Sequence, residues 1–168
     1  MHRSTTFFFT AGALALGTVS AGAQLPVQKL LTLDLALEAA QTALADCRMR
    51  GFDTTAAVVL DRYGAQLVVL RSETSNFTRA LRIAERKAYT ALESRAPSSE
   101  TAAAWAADPQ VFARQAFINP GYTPQQGGVP IKVGDDVVGA LAVAGTPGGA
   151  ADEQCATVGI AKIQDRLR

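Results

Sequence analysis

Apolar residues at Leu33, Leu37, Ala40, Leu44 and Cys47 recur at steps of four, three, four and three. That spacing predicts one inward face of a helix. Thr32 suits its N-cap, Asp34 and Glu38 suit its positive end, and Gly51 marks its stop. Two strand-like runs follow, Ala56 to Leu60 and Gln66 to Leu70, around Asp61-Arg62-Tyr63-Gly64. An Asp can bond the backbone ahead of it and a Gly can take positive φ, so an antiparallel hairpin is expected there. Phe77, Leu81, Ala84, Ala88 and Ala91 then mark a second helix from about Asn76 to Ser94, with Arg79, Arg82 and Arg86 as a separate basic stripe. That stripe is read as a solvated outer face, with a carboxylate clamp as the alternative.

Pro97 breaks this helix. Ser98 or Ser99 is expected to cap a short one through Ala107, and Asp108-Pro109 to open a further turn. Residues 118–128 read as a loop from their Gly, Pro and Gln content. Val129 to Val133 reads as a strand whose Pro130 argues for a sheet edge. After a turn at Gly134-Asp135-Asp136, the apolar run from Val137 to Ala144 predicts a strand buried on both faces. A loop at 145–149 leads to a last helix from about Ala151, with Ala156, Ile160, Ile163 and Leu167 on one side. Tight turns imply antiparallel pairing with helices covering the sheet. The fold class expected is α/β (α+β), a single domain, as a three-layer sandwich or a profilin-like antiparallel sheet flanked by helices.

The N-terminus adds a different signal. Arg3, the apolar stretch from Phe7 to Leu16 and the small residues Ala21-Gly22-Ala23 read as a signal peptide over residues 1–23, cleaved before Gln24. A lead-in follows over 24–31 and the domain over 32–168. The destination is periplasmic or extracellular. The apolar stretch is shorter than the roughly 20 residues a membrane span needs. The chain carries a formal net charge of +1, so loss of Arg3 leaves the mature form neutral, which argues against nucleic acid as a partner.

Composition narrows the chemistry further. The one histidine is His2, inside the segment read as cleaved. A mature chain without histidine excludes a Ser-His-Asp triad, a Cys-His pair, a His-based zinc site and His ligation of haem iron. The two cysteines, Cys47 and Cys155, are read first as one disulfide in an oxidising compartment, and otherwise as two separate buried thiols. Asp135-Asp136 and Asp152-Glu153 are neighbours along the chain whose side chains diverge. Neither is a ready carboxylate dyad, and Asp152-Glu153 suits the start of the last helix.

Several segments resemble one family. They are Gly127-Gly128-Val129-Pro130-Ile131, Val138-Gly139-Ala140-Leu141, Gly145, Asp152-Glu153, the hairpin with Asp61-x-x-Gly64, and Ile83-Ala84-x-x-Lys87-Ala88-Tyr89-Thr90-Ala91. Together they resemble the GlcG/HbpS family of haem-binding or haem-degrading domains, related to the C-terminal domain of PduO-type proteins, over roughly residues 30–165. The chain departs from the family's frequent Gly-Val-Ser-Gly with Ala142-Val143-Ala144-Gly145. The resemblance implies a profilin-like fold, assembly into homo-oligomers and a tetrapyrrole ligand, haem. It supports a role in haem capture, storage or redox sensing. The alternatives are a cofactor-dependent enzyme, including one that degrades haem, and a cofactor-free assembly module. Without His, the donors for iron are Tyr63, Tyr89, Tyr122, Met49, a free thiol or a threonine oxygen. Tyr122, in the loop beside the Gly-Gly motif, is the expected metal ligand, and a nearby cation would favour its phenolate. Tyr89, Thr90, Thr123, Arg82, Arg86, Gly127 and Gly128 complete the expected haem contacts. No catalytic residues are assigned.

Overall fold

The computed structural model describes residues 27–75 and 77–168. The expected signal peptide, residues 24–26 of the lead-in, the helix start at Asn76 and the side chain of Phe77 lie outside the described residues. In chain order the elements are α1 (Leu33–Met49), β1 (Ala56–Asp61), β2 (Gln66–Arg71), α2 (Phe77–Ser94), α3 (Ser98–Ala107), α4 (Pro109–Ile118), β3 (Gly128–Val133), β4 (Asp136–Ala144) and α5 (Gly149–Ile163), then a 3-10 turn at Gln164–Arg166. The strands form one antiparallel sheet in the order β2-β1-β4-β3. Helices cover both faces, so this is one three-layer α+β domain.

The hairpin forms as its turn chemistry predicts. Asp61 Oδ1 accepts the amides of Tyr63 at 2.8 Å and Ala65 at 2.9 Å, and Gly64 takes φ of 81°. Alternation along β1 divides the core. Ala57 and Val59 face α1 and α5, whereas Val58 and Leu60 face α2. β4 is buried along nearly its whole length, and β3 with its Pro130 lies at the edge. A register shift beside Ile131 and Lys132 leaves Val138 without a partner on β3. The alternation of β4 changes phase there, so Val137 and Ala140 share one face.

Two expected helix faces differ from those observed. In α1, Leu33 and Leu37 are exposed, and the buried apolar residues are Ala36, Ala39, Ala40, Ala43 and Cys47. Small side chains allow α1 to lie close on α5. A Cβ added at Gly159 would sit 2.4 Å from the Ala39 carbonyl oxygen, so the close contact selects alanine and glycine over leucine. In α2, Ala84, Ala88 and Ala91 are buried as expected, but Leu81 is half-buried and Lys87 shares the inward face. The Cys47–Cys155 disulfide staples α1 to α5, and no free thiol remains among the described residues.

The connection between α2 and β3 holds more helix than expected. Asp108 caps α4 by accepting the amides of Gln110 and Val111, and Pro109 occupies the first turn, giving ten residues rather than one turn. Ser98 and Ser99 do not cap α3. Its N-cap position is Pro97, and the two serines lie in the first turn, bonded to Glu153 of α5.

Candidate functional site

Where β4 ends, the chain turns through Gly145 to Gly149 into α5. Facing this turn are the first half of α2 and the loop at 124–126. Between them opens a cleft of about 810 Å³. Its walls carry Arg79, Ala80 and Ile83 from α2, Ala102 from α3, Thr54, Thr74 and Thr146 from the loops, and Gln125 and Gln126. Lys87 and Asp152 also line it, and both are almost fully buried, with side chains 4% and 3% exposed.

These two charges hold each other. Lys87 Nζ donates to Asp152 Oδ2 at 2.6 Å and to the Val143 carbonyl at 3.3 Å. Asp152 Oδ1 accepts the Thr146 amide at 3.0 Å, which fixes the loop between β4 and α5. Burial lowers the Lys87 pKa, and the neighbouring carboxylates of Asp152 and Glu153 oppose that shift without cancelling it. Glu153 points elsewhere. It accepts the Ser99 amide at 3.0 Å and the Gly127 amide at 3.3 Å, and thereby ties α5 to the start of α3. The expected role of the Asp152-Glu153 pair at the head of the last helix is therefore extended. Each carboxylate also joins α5 to another element.

The expected haem contacts fall into three groups. Gly127 and Gly128 lie against Lys87. A Cβ at Gly127 would meet Nζ at 2.7 Å, and one at Gly128 would meet the Lys87 carbonyl oxygen at 2.2 Å. Their amides are engaged, Gly127 with Glu153 and Gly128 with Ser98 Oγ at 2.9 Å. Thr90 and Thr123 are buried and bonded to each other, Thr90 Oγ1 accepting the Thr123 amide at 3.0 Å. Arg82, Arg86 and Tyr89 come together in a second, smaller pocket of about 280 Å³, with Gly64, Glu85 and Gly121.

Tyr122 sits beside that pocket, its ring 6.0 Å from Tyr89 and 5.5 Å from Trp105. Burial raises its pKa, reinforced by Glu93 and Tyr89. Arg86 donates to the Tyr122 carbonyl rather than to its phenol. The other donors weighed for iron are remote in character. Tyr63 is 69% and Met49 80% exposed. Among the described residues no cluster of three or more His, Cys, Asp or Glu side chains could hold a metal ion, and no helix is long and apolar enough to cross a membrane.

The haem-degrading, HbpS-like protein family matches residues 31–161. The chain belongs to that family. A crystal structure of HbpS is similar to this HbpS-like chain with 34% identity and a TM-score of 0.75, covering 87% of this chain and 99% of the other. A double mutant of HbpS from Streptomyces reticuli is similar at 32% identity and a TM-score of 0.75, covering 90% and 99%. A PduOC:haem complex has the same fold, at 17% identity and a TM-score of 0.67, covering 79% of this chain and 94% of the other. No curated protein matches the chain.

Lys87 and Asp152 are the cleft's buried charges, and the sequence named them only within family motifs and at the head of the last helix, not as a pair. One signal was present. Lys87 lies three residues after Ala84 and four before Ala91, in the middle of the apolar stripe. A charge on an inward face needs a partner, and Asp152 stands in the corresponding position on the inward stripe of α5.

Proposed function

We propose that this HbpS-like protein binds haem non-covalently in the large cleft and acts, after export, in haem capture, storage or redox sensing. The observation that carries the reading is a cleft of about 810 Å³ in a chain of this family. Sites for small molecules and cofactors span about 300–1,000 Å³ and combine apolar walls with a few polar groups. The lining fits a tetrapyrrole in that sense. Ala80, Ile83, Ala102, Pro124 and Pro147 offer apolar surface to a ring, while Arg79 and the amides of Gln125 and Gln126 suit its carboxylates. Bound haem would supply iron-centred redox chemistry. The chain's own residues would bind it, orient it and limit its contact with water.

The iron's partner on the protein is an oxygen donor in this reading. The threonines lining the cleft are the candidates there, whereas Tyr122 lies beside the smaller pocket and outside the cleft lining, so its phenol would serve only a haem seated on that side. Export draws support from the signal-like N-terminus together with the disulfide, because structural disulfides persist in oxidising compartments. Assembly into homo-oligomers is part of the same proposal. One observation favours a second reading, enzymatic haem degradation. Lys87 is a titratable group of lowered pKa within the cleft lining.

The test is a haemin titration of residues 24–168, followed by absorption. A saturating Soret shift at fixed stoichiometry, weakened by Gly148→Trp, places haem in the cleft. Gly148 lines the cleft, has φ of −148° and has nothing within 4 Å of an added Cβ, so its backbone accepts a side chain, and an unchanged far-UV spectrum of the variant checks the fold. A featureless, non-saturating rise overturns haem binding. Loss of the shift in Tyr122→Phe assigns the phenolic oxygen to iron and moves haem out of the large cleft, whereas its retention keeps haem and places the ligand elsewhere. Consumption of haem with reductant and oxygen, abolished in a Lys87→Met variant that still binds haem, supports the enzymatic reading.

A further inference from the structure

The smaller pocket carries two guanidiniums and a phenol against a single carboxylate, that of Glu85. Arg82 and Arg86 stand one turn apart on α2 and line the same pocket as Tyr89. Like charges four residues apart on a helix repel, so the arrangement costs stability unless an anion lies between them. The one acid in the lining, Glu85, offsets only one of the two charges, and it is in ion-pair contact with neither arginine, its Oε1 accepting from the neutral Gln66 Nε2 at 2.7 Å. Among the described residues Arg82 makes no hydrogen bond or ion pair, and Arg86 is held by a neutral carbonyl, that of Tyr122. The Tyr89 hydroxyl accepts from Asn119 Nδ2 at 2.9 Å, which leaves its own proton without a protein acceptor. The Tyr89 ring is held in place, because a Cβ at Gly121 would come within 2.7 Å of it.

We propose that this pocket binds a small oxyanion carrying two negative charges, received by the Arg82 and Arg86 guanidiniums and the Tyr89 hydroxyl. Guanidiniums match phosphate and carboxylate oxygens through paired N–H donors, and charge-assisted bonds of this kind are the strong ones. A pocket of about 280 Å³ admits a free anion or the end group of a larger molecule. The site is separate from the large cleft. No residue lines both, and α2 presents Arg79, Ile83 and Lys87 to the one and Arg82, Arg86 and Tyr89 to the other.

The test measures inorganic phosphate and malonate binding to the haem-free chain by calorimetry at constant ionic strength, with chloride as the monovalent control. The expected result is saturable binding of at least one of the two dianions, weakened about tenfold in Arg82→Gln and again in Tyr89→Phe. Which dianion binds more tightly identifies the class, phosphate or dicarboxylate. Arg82→Gln leaves the fold intact, because that side chain is exposed and free of partners. Absence of saturable binding, or binding equal in Arg82→Gln, overturns the proposal. The same variants are titrated with haemin. Unchanged haem affinity supports a separate site, whereas a loss matching that for phosphate overturns it and assigns the arginines to the haem carboxylates.

Discussion

At Lys87 the chain accepts a charge in its interior and answers it with Asp152 and the Val143 carbonyl. Removing one member of such a pair leaves the other buried and uncompensated, at a cost of about 3–5 kcal/mol. Asp152→Asn is therefore expected to lower stability by that order in urea unfolding, and Lys87→Met combined with Asp152→Leu by clearly less. Alkaline pH separates Lys87 from Tyr122. The folded pKa of Lys87 lies below its ordinary value of 10.5, so the unfolded chain holds that proton more tightly. Its contribution to stability rises between the folded value and 10.5 and is lost as pH falls through the folded value. Tyr122 is shifted the other way, above 10.0. Its contribution is present below 10.0 and disappears as pH climbs through the folded value. Stability measured across this range is expected to lose its rising component in Lys87→Met and its falling component in Tyr122→Phe. An unchanged slope in either variant contradicts the assignment.

Among the elements, α1 and α5 pack in close contact. A methyl group at Gly159 meets the Ala39 carbonyl oxygen and the Ala43 side chain. Gly159→Ala is expected to cost about 1–3 kcal/mol by overpacking, read as a lower thermal midpoint, despite alanine's better helix propensity. The disulfide joins the same two helices across a sequence separation of 108. The chain-entropy account gives about 4–5 kcal/mol for a loop of that size. Replacing both cysteines with serine should lower the denaturant midpoint accordingly, and an unchanged midpoint would show that packing alone holds α1 on α5. Legibility also varied by element. The β1–β2 turn was readable because Asp61 acts within four residues of itself. The exposed side of α1 was not, since leucine spacing marks an apolar stripe without saying which neighbour requires smaller residues.

For the whole molecule, ligand binding and folding are linked. A ligand that binds only the folded chain stabilises it by about 2.7 kcal/mol at a hundredfold excess over its dissociation constant. Haemin is expected to raise the unfolding temperature of the HbpS-like chain in a concentration-dependent way, and Gly148→Trp to remove most of that rise. A midpoint insensitive to haemin would count against the large cleft. By itself the sequence determined what depends on near neighbours and on period. It determined the strands, the helices apart from the length of α4, the β1–β2 turn, the buried β4 and the edge position of β3, and it carried the motifs of the HbpS-like family. It also placed Arg82, Arg86 and Tyr89 on one helix at spacings that bring them together. Tertiary structure alone decided that Lys87 and Asp152, 65 residues apart, form a buried pair lining a cleft. It also decided that Gly127 and Gly128 serve close packing, with their amides already engaged. The physical reason is the same in both cases. Local pattern records which way a side chain faces, whereas the cost of a buried charge or a missing Cβ depends on what the folded chain brings against it.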